Sequence, residues 1–164
     1  MSGVHVVWAA LAGGFVGTIA LNAGLRIAQG LGLTRMDIPL LLGTAFTTNR
    51  SHAMVIGYAV HFGIGVTAGA VYAAIFVAVG HAGAAFGAGL GLAHGVVAGG
   101  AILNTLLPSV HPRMGTPWSD AEDGPLLEAP GFLLSNYGRS TAIVSLALHV
   151  VYGALVGWFA GGLV

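Results

Sequence analysis

Charge is what this sequence has least of. Only 6% of the residues are charged, against 56% hydrophobic, and the mean hydropathy is +0.89. A soluble domain carries roughly 25% charged residues, and so few cannot cover a water-facing surface. The chain therefore reads as an integral membrane protein. Lysine is absent, and the five arginines balance the acids to a net charge of zero. No global field attracts nucleic acid. Cysteine is absent too, which excludes disulfides, thiolate metal sites and cysteine nucleophiles. No glycine loop followed by lysine, no HExxH and no GxSxG occurs. No residue pattern here fixes a reaction, and whether the protein is an enzyme stays open.

Long apolar runs are what it does have. A bilayer core about 30 Å thick needs roughly 20 apolar residues in a helix. Four segments of the 164 residues qualify: 4–28, 52–79, 82–107 and 139–164. The expected fold is all-α, a single polytopic domain forming a bundle of four transmembrane helices. The first run lacks a basic leader and is of full spanning length, so it reads as a retained helix rather than a cleaved signal. The turn "VGHAGA" is very short, so the second and third spans are expected to form a tight antiparallel hairpin. The connections 29–51 and 108–138 lie on one side of a four-span topology. All five arginines (Arg26, Arg35, Arg50, Arg113, Arg139) fall in or beside them. The positive-inside rule puts both connections in the cytoplasm and both termini outside.

The chain also reads as two related helix pairs. "GGFVGTIALN" at 13–22 matches "GVVAGGAILN" at 95–104, pairing Leu21 with Leu103 and Asn22 with Asn104. Positions 57, 61, 65, 69 and 73 are Gly, His, Gly, Gly, Ala; positions 145, 149, 153, 157 and 161 are Ser, His, Gly, Gly, Gly. Parallel repeats about an axis along the membrane normal are a known architecture.

Many of the 28 glycines recur every fourth residue. Gly83, Gly87, Gly91, Gly95 and Gly99 form one row; Gly13 with Gly17, Gly65 with Gly69, and Gly153 with Gly157 form others. Such rows let helix backbones approach closely. They serve packing within the bundle, in a homo-oligomer or in a larger membrane complex, or they leave room for a flat ligand such as haem.

Histidine is the unexpected residue in these runs. In "IGYAVHFGIGVTAGAVYAA" (56–74) the imidazole of His61 stands among apolar neighbours. Counted at 1.5 Å per residue, His61, His149 and His94 lie roughly 14, 15 and 20 Å from the connection side, near the middle of the bilayer. Thr18 shares that level. Ionisable groups at that depth are costly and face the bundle interior. Three readings follow. The rings pack as neutral groups bonded to Thr18, Tyr58, Tyr152 or a backbone carbonyl. They bind a cofactor, with His61 and His149 as the axial pair of a haem b, or with His61, His94 and His149 around one transition-metal ion. Or they relay protons or line a solute route in an oligomeric transporter. No arginine is placed at mid-depth to meet haem propionates. His5, His52 and His81 sit at span ends and read as interfacial.

The connections carry their own signals. "MDIPLLLGT" (36–44) is too short to span and too oily for a free loop; it reads as an interfacial helix or a re-entrant segment, with Asp37 at a helix N-terminus. Five of the six prolines fall in 108–138, which forbids a long regular helix there. His111 with Asp120, Glu122, Asp123 and Glu128 reads as a solvated acidic surface or an oxygen-rich ion site. Phe132 and Tyr137 are expected as interfacial anchors.

"MDIPLLLGT", "AVHFGIGVTAGAVYA", "HPRMG" and "LHVVYGALVG", in this order, resemble a family of small uncharacterised bacterial four-helix membrane proteins, loosely similar to the YagU-like inner-membrane proteins. The resemblance covers nearly the whole chain. It implies a bacterial plasma membrane and brings no activity and no functional residues with it. The expected function is a small membrane subunit with a mid-bilayer histidine site for haem b or a metal ion, centred on His61, His94 and His149 and supported by Thr18, Tyr58, Tyr152, Asn22 and Asn104. Its alternatives are an assembly subunit with packing histidines and a small-solute transporter.

Overall fold

The computed structural model describes residues 3–114 and 127–162. Among them there is no strand, and four helical spans are long and apolar enough to cross a membrane. They are α1 (Gly3–Gly30), α3 (Arg50–Val79), a third span from Ala84 to Val110, and α6 (Thr141–Gly161). The protein is a membrane protein of helical-bundle type. A short helix α2 (Ile38–Gly43) joins α1 to α3. The third span is composite: α4 (Ala84–Val97), a π-helical stretch from Ala98 to Leu106, and a last turn α5 (Leu107–Val110). A 3₁₀ segment, Phe132–Tyr137, precedes α6.

The helix ends follow local chemistry. Asn49 caps α3 by accepting a hydrogen bond from the amide of His52 (3.0 Å). At its far end Gly80 takes a left-handed φ of 70° and its amide bonds the Phe76 carbonyl, the glycine termination that a side chain would strain. Asp37 caps α2 through the Leu40 amide (3.1 Å), and Pro39 occupies the first turn, where its missing N–H costs nothing.

The second and third spans, neighbours in sequence, are not neighbours in space. α1 packs against α3 and α6, and α6 packs against α1 and α4, so the helices run in the order α3–α1–α6–α4. The expected tight hairpin between the second and third spans does not form: α3 and α4 occupy the two outer positions and do not pack along their lengths. Side chains bridge them near the turn, where Phe76 meets Phe86 with ring centroids 5.9 Å apart. Bulky rings hold the two backbones apart there, whereas glycines bring α6 close to both its neighbours. Gly91 lies so near α6 that an added methyl would overlap the His149 carbonyl.

The two helix pairs also pack in different registers. Gly65 of α3 abuts the Thr18 side chain of α1. Its sequence counterpart Gly153 abuts Gly87 and Gly91 of α4, not Gly100, which the sequence offset would place there. The expected five-glycine row divides as well. Gly87, Gly91 and Gly95 face α6; Gly83 lies before the helix at φ 152°, against Gly157 and Gly161; Gly99 lies in the π stretch, facing Leu133 and Leu134. On α1, Gly13 meets Val156 and Gly17 meets the Tyr152 ring, while Gly69 meets the Ala10 carbonyl.

The two long connections fold onto each other and close one end of the bundle. Thr34 and Thr141 share a buried 2.8 Å hydrogen bond. The Arg35 amide donates to the Tyr137 carbonyl (2.8 Å), and its guanidinium pairs with Glu128 at 3.2 Å. Leu25, Met36, Ile38, Leu41, Met114, Leu134 and Tyr137 form a second core beneath the helices. The segment 36–44 is thus packed into the protein through Met36, Ile38, Pro39, Leu41 and Gly43. Tyr137 is no interfacial anchor. It is 9% exposed, its hydroxyl donates to the Glu128 carbonyl (2.7 Å), and burial pushes its pKa up to about 12. Phe132 stays exposed. His111 is buried and bonded to the Leu41 carbonyl (3.0 Å) rather than set in an acidic surface. Asp120, Glu122 and Asp123 lie outside the described residues.

Candidate functional site

The site begins with one asparagine. On α1, the Thr18 hydroxyl donates to the Gly14 carbonyl (2.7 Å) and the Asn22 amide nitrogen donates to the Thr18 carbonyl (2.9 Å). The amide oxygen of Asn22 therefore points away from its own helix and accepts from Nδ1 of His61 on α3 at 3.0 Å. With its proton on Nδ1, His61 carries its lone pair on Nε2.

His149 is fixed by α6 itself. Its Nδ1 donates to the Ser145 carbonyl one turn back at 2.7 Å, and the Ser145 hydroxyl lies 3.5 Å away. Among the described residues its Nε2, like that of His61, has no protein partner. His94 of α4 stands edge-to-face on His149, centroids 5.0 Å apart, and on Tyr152 at 5.8 Å. Its Nδ1 is 3.4 Å from the hydroxyl of Tyr72. Either atom of that pair can donate, so among the three cavity histidines His94 is the one whose tautomer its neighbours leave free. The Tyr152 hydroxyl donates across the bundle to the Gly65 carbonyl at 2.5 Å.

Apart from Asn22 and Tyr72, which stand behind the histidines, these side chains line one cavity of about 130 Å³. His61, His94, His149, Thr18, Ser145 and Tyr152 form its polar wall, and aliphatic side chains from every packed element form the rest. Met36 and Ile38 from the first connection and Leu134 from the second supply its floor. Ile64 of α3 and Ile102 of the π stretch line the cavity and are also 48% and 46% exposed. The cavity therefore opens sideways, between the two helices that do not pack. The π stretch forms that rim. Gly99 and Gly100 favour departure from the α-helix, and Pro108 removes a donor one turn on. π-helical turns occur mostly at functional sites.

The three sequence-selected histidines come together around this space, as do Thr18 and Tyr152. Tyr58 does not join them: its hydroxyl accepts from Arg26 Nε (3.3 Å), beside the Arg26–Asp37 ion pair (3.5 Å). Asn104, the counterpart of Asn22, lies in the π stretch outside the cavity lining, and His149 bonds a backbone carbonyl instead. Tyr72 and Ser145 are additions. Tyr72 follows His61 by eleven residues, three helical turns on one face; Ser145 precedes His149 by one turn. Both spacings are visible in the sequence once the histidines are taken as the centre.

The dimensions bear on what can enter. A cavity of about 150 Å³ holds one benzene ring, and this one is of that class. A porphyrin is several rings across and needs the helices to part. Among the described residues no three of His, Asp or Glu are grouped closely enough to share one metal ion. No protein-family model, no curated protein and no solved structure matches the chain.

Proposed function

We propose that the protein is an integral membrane binding protein that takes a small ligand from the bilayer into the histidine-walled cavity. The observation that carries this reading is the side opening between Ile64 and Ile102, which leads to three imidazoles from three different helices. Counted from the connection end, His61 and His149 lie near the middle of their spans, so the opening faces acyl chains rather than water. Ionisable groups at that depth mark functional sites by default. Two of the imidazoles have Nδ1 tied to an oxygen, the device that orients histidine toward a ligand on Nε2. The volume favours a single-ring molecule, or one ion after a small convergence of the rings, over haem b.

A second reading is favoured by the edge-to-face cluster of Tyr72, His94, His149 and Tyr152. Such ring pairs contribute to packing in their own right, and the histidines then act as structural groups alone.

Photolabelling separates the two. A bilayer-soluble, single-ring diazirine is photolysed with the protein in nanodiscs, and adducts are mapped by mass spectrometry. Ligand entry predicts adducts on His94, Ala98 and Ile64 that excess benzene suppresses. Labelling spread over the lipid-facing residues and indifferent to benzene would leave only the packing reading.

A further inference from the structure

Around the cavity, protons and lone pairs are unequally distributed. The Thr18 hydroxyl is donated to Gly14, the Tyr152 hydroxyl to Gly65, the Asn22 amide to Thr18, and the Nδ1 protons of His61 and His149 to Asn22 and Ser145. Each of these donors is used within the protein. What they leave toward the cavity is acceptors: Nε2 of His61 and Nε2 of His149, with the hydroxyl oxygens of Thr18 and Tyr152 behind them. The Ser145 hydroxyl stands apart from this set, because the His149 Nδ1 beside it at 3.5 Å already carries a proton and cannot accept from it. Among the described residues neither Nε2 has a protein partner, and neither is sealed from the open space. A ligand that offers only acceptors, such as a ketone or a quinone, meets lone pairs on these groups. A ligand with a hydroxyl meets its complement. His94, whose tautomer is free, can present a proton to that same hydroxyl's oxygen when Tyr72 donates to its Nδ1.

From this inventory we infer that the cavity selects a single-ring ligand bearing a hydroxyl, a phenol or hydroquinone-type molecule, over its methyl ether and its carbonyl counterpart. The hydroxyl donates to Nε2 of His61 or His149, and the ring occupies the aliphatic part of the cavity. This inference rests on the binding function proposed above. It adds the chemical class, because a ligand without a hydroxyl proton leaves the Nε2 lone pairs of His61 and His149 unpaired in an apolar setting.

The experiment uses the full chain in nanodiscs with ¹⁵N-labelled histidine, and empty nanodiscs to correct for partition into lipid. Phenol, anisole, p-benzoquinone and zinc ion are titrated separately, and the imidazole nitrogen resonances are followed. The expected result is a saturable phenol-dependent shift of the Nε2 signal of His61 or His149, with anisole and benzoquinone weaker by about tenfold, the factor set by one hydrogen bond of about 1.4 kcal/mol. Two variants accompany it. Ile102→Trp narrows the mouth without touching a polar group and should abolish the shift; His61→Gln should weaken phenol and leave anisole unchanged. If anisole binds as well as phenol, the class inference is overturned while the binding function stands. If stoichiometric zinc moves all three histidines together and phenol moves none, the occupant is an ion and the inference is again overturned. If no probe moves any imidazole, the binding function itself fails.

Discussion

Asn22 determines which nitrogen of His61 carries the proton. Because the Asn22 amide nitrogen is committed to the Thr18 carbonyl, its oxygen is the only part left to face His61, 3.0 Å away. A single asparagine on α1 thus sets the chemistry offered by a histidine on α3. Interhelical polar pairs in membranes couple by about 0.6 kcal/mol on average and up to about 1.7. A double-mutant cycle of Asn22→Ala and His61→Ala, read by reversible unfolding in bilayers, should give a coupling in that range. Strict additivity would show that the contact does not hold the helices.

Tyr152 and Tyr72 offer a comparison of two hydroxyls in similar surroundings. The first makes a 2.5 Å bond to a backbone carbonyl of another helix; the second lies 3.4 Å from His94. Tyr152→Phe should cost about 1 kcal/mol of stability, since the Gly65 carbonyl is left with only its partner within α3. Tyr72→Phe should cost less than half of that. Equal costs would mean that the ring contacts, not the hydroxyls, carry the stability.

Glycines of identical helical setting should respond in opposite ways. A methyl at Gly91 overlaps the His149 carbonyl, whereas one at Gly89 or Gly63 meets nothing within 4 Å. Gly91→Ala should force α4 off α6 and lower the unfolding temperature. Gly89→Ala and Gly63→Ala should be neutral or stabilising by up to about 1 kcal/mol, the propensity difference between the two residues. Thermal denaturation of the three variants in one detergent is sufficient.

His111 should make one end of the bundle sensitive to acid. It is 3% exposed, its Nε2 proton is given to the Leu41 carbonyl, and its Nδ1 accepts from the Arg113 amide at 3.1 Å. Burial is the main cause that holds its pKa below the ordinary histidine value of 6.5; the bond to the Leu41 carbonyl offsets it in part, and the Arg113 charge adds to the lowering. The folded state therefore binds this proton less readily than the unfolded one. Its contribution to stability is full above about pH 6.5 and falls as the pH drops through the folded pKa. The protection factors of the α2 amides, corrected for the fall of intrinsic exchange with pH, should drop below pH 6.5, and His111→Phe should flatten that dependence. Protection factors independent of pH from 7 to 5 would count against it.

The sequence disclosed what depends on composition and one-dimensional spacing. Four apolar runs place the spans to within two or three residues at most ends, because bilayer thickness fixes their length. Histidines at one depth were legible for the same reason: rise per residue converts position into height. Lateral arrangement was not legible. A short turn such as that around Gly80 and Gly83 only bounds the distance between two helix ends, and the rings of Phe76 and Phe86 then keep α3 and α4 apart. The π stretch was hidden too, since an i+4 row of glycines reads as one α-helix whether or not the ladder slips by a residue. Tyr137 was misplaced because an aromatic near a span end is assigned by polarity, while the fold-back of residues 127–138 that buries it depends on contacts with Arg35 and Glu128.

The order α3–α1–α6–α4 also bears on how the chain assembles during synthesis. Its central helix is among the last to emerge. Until α6 enters the membrane, α1 and α3 have each other, but α4 has no backbone to rest its glycines against. The third span must wait in lipid for the fourth, so a ribosome paused before α6 would hold a half-built protein in which His94 is presented to lipid or to whatever helper attends it.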